Sequence, residues 1–327
     1  MPKKSVLLTG ATGLLGTQIL RKLILQGHKV FAVKRAGSNS NINSELVTWI
    51  SYDSYSQNLF DKVSQKIDIV IHAAALVSYL QKDKEKIFSV NQDWTLKIAN
   101  DALLAKVDQF IFISSVSALG KNGVNNIVKE DTNFSEQSFI TNYGKSKREA
   151  ELKLKEMSEY GLPLLILNPS VIIGPANKYQ SSAQLFGYIS DNKPFFTKGI
   201  INYVDARDVA EIILNCVDDG IVNQQYVVSA SYISYEKFFN AIAKELKKRP
   251  PFIPVPKSLV VFGAIIENLL SKIRSKPPTL SLETAKMAGS SIIYDSSKLK
   301  RELNFSFREL HDSIEWTAAE MQKNGEL

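Results

Sequence analysis

A single cysteine, Cys216, stands among 327 residues, so no disulfide can form within the chain. That points to a reducing compartment, and the cytoplasm is the expected location. Histidine is nearly as scarce. His28, His72 and His311 are isolated from one another, none at metal-ligand spacing, and no metal site is expected. No apolar run reaches the roughly 18 residues that a bilayer span requires, so no membrane span is expected. The opening MPKKSVLLTG offers only Val6, Leu7 and Leu8 as an apolar run before Thr9, too short for a signal-peptide core. A long block of single-sign charge is also missing. Forty basic and 33 acidic residues give a net charge of +7, with the cations spread along the chain. This reads as a solvated basic surface with a mild attraction for anionic ligands such as nucleotide phosphates, not as a nucleic-acid site. There is no internal repeat and no low-complexity segment.

What is present is ordinary for a globular protein: 44% hydrophobic and 22% charged residues, enough for a normal core in one large or two smaller domains. The first half alternates two patterns. SVLLTG, KVFAVKR, DIVIHAAA and QFIFISS are short apolar runs, as strands buried on both faces of a parallel sheet require. Between them LLGTQILRKLILQG carries Leu15, Ile19, Leu20, Leu23 and Ile24 at helical spacing, and WTLKIANDALLAK is a second helical stretch. LPLLILNPS is a further strand, after a charged helix. The alternation predicts an α/β fold, a Rossmann-type doubly wound parallel sheet. Nine of the eleven prolines lie at position 169 or later, and KRPPFIPVP and SKPPTL break the rhythm. That composition predicts a smaller, mostly helical C-terminal substrate lobe. The expected division is a nucleotide-binding domain over 1–170, with 200–230 returning to its sheet, a cap lobe over 171–199 and 231–310, and a terminal helix over 311–327. SLVVFGAIIENLL is expected to be a packed helix of that cap, with a helix on a membrane surface as the alternative.

VLLTGATGLLG sets Gly10, Gly13 and Gly16 between the first strand and the first helix. Gly10 permits a tight turn, Gly13 lets the backbone approach a pyrophosphate, and Gly16 lets helix and strand pack closely. The helix N-terminus offers free N–H groups to the phosphates. A cofactor with a free ribose 2′-hydroxyl is held by an acidic residue near the end of the second strand. None stands there. Lys34 and Arg35 do, and Arg35 can fork onto a 2′-phosphate. NADP (as NADPH) is therefore preferred over NAD, which stays possible.

Two tyrosine–lysine pairs have a spacing of four: Tyr143 and Lys147 in TNYGKSKREAE, and Tyr294 and Lys298 in YDSSK. On a helix that spacing puts both side chains on one face, where a lysine cation favours the phenolate. Spacing alone leaves both pairs open.

The chain resembles the extended short-chain dehydrogenase/reductases, the NAD-dependent epimerase/dehydratase family, over nearly its whole length. TGATGLLG resembles that family's cofactor fingerprint and implies contacts from Gly10, Thr12, Gly13, Leu14, Leu15 and Gly16. YDSYSQNL resembles its adenine segment, which implies Asp53 near the adenine. DIVIHAAALVS resembles its cofactor-lining loop, with Ala73 and Ala74 on the ribose side and Val77 toward substrate, and Asn91 matches its helix asparagine. FIFISSVSALG resembles its serine segment. An active serine five residues before Gly120 is Ser115, with Ser117 toward substrate. YGKSK resembles its Tyr-x-x-x-Lys pair, which selects Tyr143 and Lys147 and leaves Tyr294 and Lys298 to structure. LNPSVIIGP, which implies cofactor contacts at Asn168 and Ser170, and NYVDARDVAEIIL resemble its later landmarks. RELNFSFRELHDSIEWT resembles its C-terminal helix.

The resemblance implies hydride transfer with Tyr143 as acid/base, Lys147 holding the nicotinamide ribose and lowering the phenol's pKa, and Ser115 bonding the substrate oxygen. Departures narrow the branch. Val116 and Ser117 follow Ser115 where sugar-nucleotide dehydratases carry an acidic pair. Ile201 and Asn202 stand near where a pyrophosphate-binding arginine is usual, and Asn168 replaces an arginine before Pro169. What remains resembles the dihydroflavonol-reductase and hydroxysteroid-dehydrogenase side, acting on a ketone, aldehyde or secondary alcohol of a mainly apolar small molecule. The alternatives are a sugar-nucleotide epimerase with retained NAD and a catalytically idle NADP-binding sensor. Monomer and homodimer are equally expected.

Overall fold

The structure, a computed structural model, describes residues 2–38, 40, 42–52, 58–120, 126–132, 141–274 and 280–327, without the side chains of 272–274. Its centre is a seven-stranded sheet. β1 (Ser5–Thr9), β2 (Lys29–Arg35), β3 (Val47–Tyr52), β4 (Ile69–His72) and β5 (Gln109–Ile113) are joined by strands Leu164–Pro169 and Gln224–Val228. The order across the sheet is Gln224–Val228, Leu164–Pro169, β5, β4, β1, β2, β3, and every pairing is parallel.

The alternation along each strand explains why the strand sequences are apolar throughout. Val6, Leu8, Val30, Ala32, Ile69, Ile71, Ile111 and Ile113 point to one face. Leu7, Phe31, Val33, Val70, Phe110 and Phe112 point to the other. Helices cover both faces, so neither face of the strands can be polar. α1 (Leu14–Leu25) packs on the helix Ala206–Asp218 on the first side. Trp94–Leu104 and Asn142–Glu159 close the second.

Chain order reverses between β1 and β4, since β2 and β3 extend one way and β4 and β5 the other. A crevice forms outside the carboxyl ends of the strands at such a switch point. Of the stretch 200–230, Gln224–Val228 joins the main sheet. Ile200–Asp205 instead forms a three-stranded sheet with Val171–Ile173 and Ser231–Ser234. That small sheet shares a third core with Gln184–Ser190, Tyr235–Glu245 and the terminal helix Leu310–Lys323, built around Phe186, Ile189, Phe238, Ile242, Ile314 and Met321.

The helix Lys257–Arg274, which includes SLVVFGAIIENLL, packs on the helix Leu282–Met287 through one side only. Its Leu259, Phe262, Ile265, Ile266 and Leu269 are all exposed, while Ala264 on another side is fully buried.

Candidate active site

The glycine loop is shaped as its sequence predicts. Gly10 has φ +71, and a Cβ there would lie 2.7 Å from the Ala74 nitrogen and 2.8 Å from the Ala73 carbonyl carbon. The loops after β1 and β4 are thus in backbone contact at the switch point. At Gly16 a Cβ would lie 2.0 Å from the Gly10 oxygen, so only glycine lets α1 approach β1 this closely. Gly13 caps α1 without a side-chain bond, and the first turn holds no acid. Its N–H groups and positive helix end face outward, with Thr12 and Gly13 exposed at the lip. Leu15 is buried in the core, and a Cβ on Gly174 would meet the Leu14 side chain, so these two contact a ligand through backbone at most. Two buried hydroxyls, Ser114 Oγ and Ser170 Oγ, have no hydrogen-bond partner among the described residues. They stand just beyond adjacent strands, at the carboxyl edge. A tight cradle, an uncapped helix start and orphaned donors fit a phosphate-bearing dinucleotide. Arg35 is exposed at the end of β2, while Lys34 lies 5.5 Å over the Trp49 ring. Asp53 lies outside the described residues.

Ser115 follows β5 and caps a short turn over Val116–Leu119, accepting from the Ser117 N–H at 3.1 Å. Thr141 caps the helix Asn142–Glu159 by accepting from the Gly144 N–H at 3.0 Å. Tyr143 and Lys147 lie in its first turns and are both buried. A Cβ on Gly144 would sit 2.6 Å from the Ser117 oxygen, so this glycine is what lets the helix reach the serine turn. The Ser115 side chain lies close enough to the Tyr143 phenol to favour its ionised form. Lys147 Nζ donates to the Ile113 carbonyl at 2.7 Å and lies 4.1 Å over the Phe112 ring.

The electrostatics correct the expected lysine effect. Burial pushes the Tyr143 phenol well above its ordinary value, Tyr79 adds to this, and the Ser115 side chain opposes it. Burial also pulls Lys147 down to about 7 despite Glu151, which works the other way. Both groups are driven toward their neutral forms, because desolvation penalises either charge. A spacing of four places the pair correctly but says nothing about solvent exclusion.

A polar network fixes these parts. The Ala74 N–H reaches Thr9 Oγ1 at 3.2 Å, and Thr9 Oγ1 lies 2.8 Å from His72 Nδ1. His72 Nε2 lies 2.9 Å from Thr95 Oγ1, whose hydroxyl donates to the Asn91 carbonyl at 2.9 Å. Since Thr95 donates to Asn91, it accepts from His72. The ring is therefore the neutral Nε2–H form, consistent with a pKa lowered to about 3 by burial and by Lys147. Asn91 accepts from the Leu76 N–H and donates to the Leu76 carbonyl and Ser146 Oγ. Its amide is committed to protein, tying the β4 loop to the tyrosine helix. The same holds for Asn168. It donates to the Ser115 carbonyl at 2.9 Å and to the buried Glu151 carboxylate at 2.6 Å, and accepts from Gln225 at 2.8 Å. Both asparagine side chains position the site rather than face a ligand.

Sequence reasoning missed several members. Tyr79 packs edge-on against Tyr143, ring centroids 6.4 Å apart. Glu283 accepts from the Asn142 N–H at 3.2 Å and from its side chain at 2.5 Å, joining the helix Leu282–Met287 to the residue before Tyr143. Neither carries a local sequence signal. Ala73, Ala74 and Ser117 lie half-buried beside the site, and Val77 is 51% exposed. The decoy pair is separated by secondary structure. Tyr294 ends a strand, Ile293–Tyr294, whereas Lys298 sits in the helix Ser297–Glu302 and donates to Gln224 and the Gln225 carbonyl. Ser296 stands at the N-cap of that helix without a side-chain cap bond, and Asp295 accepts from the Ser297 N–H at 2.8 Å.

The doubly wound sheet with a glycine cradle at its switch point and a buried Ser–Tyr–Lys cluster beside it defines the short-chain dehydrogenase/reductase type of fold. Residues 6–229 match the model of the NAD dependent epimerase/dehydratase family, and the chain belongs to that family. A Synechocystis protein provisionally named a dihydroflavonol 4-reductase is 26% identical over 319 residues, 94% of this chain and 93% of that one. A UDP-glucose 4-epimerase of Vibrio cholerae is 28% identical over 272 residues, 78% of this chain and 80% of that one. The solved structure of gox2253 superposes with a TM-score of 0.82 at 27% identity, covering 99% of this chain and 100% of that one. Reductases and epimerases are thus both among its relatives. Among the described residues, no helix is long and apolar enough to cross a membrane.

Proposed function

We propose that the protein is an NADP-dependent oxidoreductase that moves a hydride between the nicotinamide and a ketone, aldehyde or secondary alcohol of a mainly apolar small molecule. The observation that carries this is the buried Tyr143, one helical turn from Lys147 on a helix whose start meets the serine turn just beyond the carboxyl end of β5. When bound, the nicotinamide supplies or accepts the hydride. Burial holds Tyr143 protonated, the form that donates. Its hydroxyl gives a proton to the substrate oxygen as charge develops there, and the Ser115 hydroxyl supplies a second, placed donor to that oxygen. Lys147 stays anchored on the Ile113 carbonyl, within reach of a ribose at the same edge. Gly10, Gly13 and the start of α1 hold the pyrophosphate, and Arg35 the 2′-phosphate.

An apolar substrate is supported by the wall of the site. Tyr79 packs on Tyr143, and burial raises the phenols of Tyr79 and Tyr235, with Tyr235 acting on Tyr79. Asn202, near where a pyrophosphate-binding arginine is expected, is buried, donating to the Ile292 carbonyl and accepting from the Tyr294 N–H. The second reading is a sugar-nucleotide epimerase with retained NAD, favoured by the Vibrio cholerae relative. A cofactor titration separates the two. Tight NADP and weak NAD fit the reductase, and copurifying NAD fits the epimerase. Tyr143→Phe should lower turnover at least about a hundredfold, as loss of a general acid does, with cofactor affinity unchanged. Full turnover in that variant would remove Tyr143 from the mechanism.

A further inference from the structure

The helix Lys257–Arg274 turns an apolar stripe outward. Leu259, Phe262, Ile265, Ile266 and Leu269 are 59%, 60%, 44%, 42% and 58% exposed. At one residue per 100°, these five fall within an arc of about 120°. Single exposed hydrophobics are common, but a stripe along one helix face is not. The ribbon that leads into the helix continues the theme. Phe195 and Ile253 are register partners across its two strands, and both are exposed. Phe252, also exposed, lies under the Arg249 guanidinium at 4.2 Å.

The described charge of this segment is mostly positive. Among the described side chains of 246–271, four cations, Lys247, Lys248, Arg249 and Lys257, stand against one acid, Glu267, a surplus of 4 − 1 = +3. Lys247, Lys248, Arg249 and Lys257 are exposed.

We propose that this face docks the protein on the surface of an anionic lipid bilayer, with the helix lying in the headgroup plane. An apolar helix stripe with cations in the adjoining chain is the pattern that binds there, the stripe entering the acyl boundary and the cations meeting lipid phosphates. The charge argues against a second copy as the occupant. A symmetric pairing through this face would oppose two segments each carrying a described surplus of 4 − 1 = +3. Nucleic acid would leave the apolar stripe uncovered. The inference does not depend on the substrate assigned above.

The test is co-sedimentation of the full chain with vesicles of phosphatidylcholine alone, or mixed with phosphatidylglycerol, at low and high salt. Binding to the mixed vesicles is expected, at least about tenfold weaker to phosphatidylcholine alone and weakened by salt. Phe262→Asp with Leu269→Asp should reduce binding at least about tenfold. Lys247→Glu with Lys248→Glu should do so through charge alone, in a variant whose apolar face is intact. Both should keep the far-UV circular dichroism of the parent. Absence of wild-type binding to the anionic vesicles overturns the proposal, as do variants that bind like wild type. So does a dimer, seen by light scattering, that the Phe262→Asp, Leu269→Asp variant splits, because the face is then an interface between copies.

Discussion

Replacing Lys147 with methionine isolates the cost of burying a cation in the site. Lys147 is fully buried, and its pKa falls from the ordinary 10.5 to about 7. The unfolded chain therefore binds more protons than the folded one between those values, and stability rises with pH across that window. A shift of about 3.5 units corresponds to about 5 kcal/mol over the full range, and linkage gives a gain of about 2 kcal/mol between pH 7 and 9. The raised phenol of Tyr143 acts with the opposite sign, but only above its unfolded value of about 10, where the unfolded state loses a proton that the folded state keeps. Cys216, whose thiol burial raises from 9.0 to about 12, also acts with the opposite sign as the pH passes about 9, and Lys155, lowered by burial, acts with the same sign as Lys147; both are present in wild type and variant alike and cancel in the difference. Methionine removes the charge while filling similar volume. It also strands the Ile113 carbonyl, a loss of about 1–2 kcal/mol that does not vary with pH. Urea unfolding of both proteins, freed of nucleotide and measured from pH 6.5 to 9.5, reads the difference directly. The wild type should gain on Lys147→Met by about 2 kcal/mol from pH 7 to 9. A difference that stays constant with pH would mean that Lys147 titrates alike in both states, and the argument from desolvation would fail.

Arg35→Ala should lower the NADP-over-NAD preference at least about tenfold, the worth of a charge-assisted contact, while NAD affinity stays put. An unchanged preference in a cofactor titration would assign the 2′-phosphate elsewhere. In Gly144→Ala, the new methyl meets the Ser117 oxygen at 2.6 Å, so the tyrosine helix must move off the serine turn. A displacement of that order should lower kcat about a hundredfold with the fold intact, read by steady-state kinetics beside circular dichroism. Asn168→Leu strands the Ser115 carbonyl and removes a donor from the buried Glu151 carboxylate. About 2–4 kcal/mol of stability should be lost in urea unfolding, together with activity, and a fully active variant of wild-type stability would refute the positioning role.

The sheet and the cradle were legible because their requirements are local. A strand covered on both faces must be apolar at every position, so Val6 through Leu8, Ile69 through Ile71 and Phe110 through Ile113 read as strands from composition alone. The glycine loop was legible because the Cβ distances at Gly10 and Gly16 leave no room for another side chain. The network behind the site was not legible. Asn168, Gln225 and Glu151 come from two strands and a helix, and the sequence shows the helix 142–159 only as a charged one. Yet it buries Lys147 and Glu151 completely, because both lie on the face that meets the sheet.

Two outcomes show what pattern leaves undetermined. Tyr143 with Lys147, and Tyr294 with Lys298, have identical spacing. The first pair shares a helix beginning at Asn142, whereas the second straddles a strand end and a helix start at Ser297, so its members never share a helical face. SLVVFGAIIENLL presents the complementary case. Its periodicity correctly implies an apolar helical stripe, but the same stripe serves a core or a surface equally well. What decides is whether another element is available to cover it. Gln184–Ser190, Tyr235–Glu245 and Leu310–Lys323 bury their apolar faces in a shared core, while Leu259, Phe262 and Leu269 face outward. Periodicity gives the direction of an apolar face relative to its own helix axis. The partner of that face is set by the remainder of the chain, or by a surface outside it.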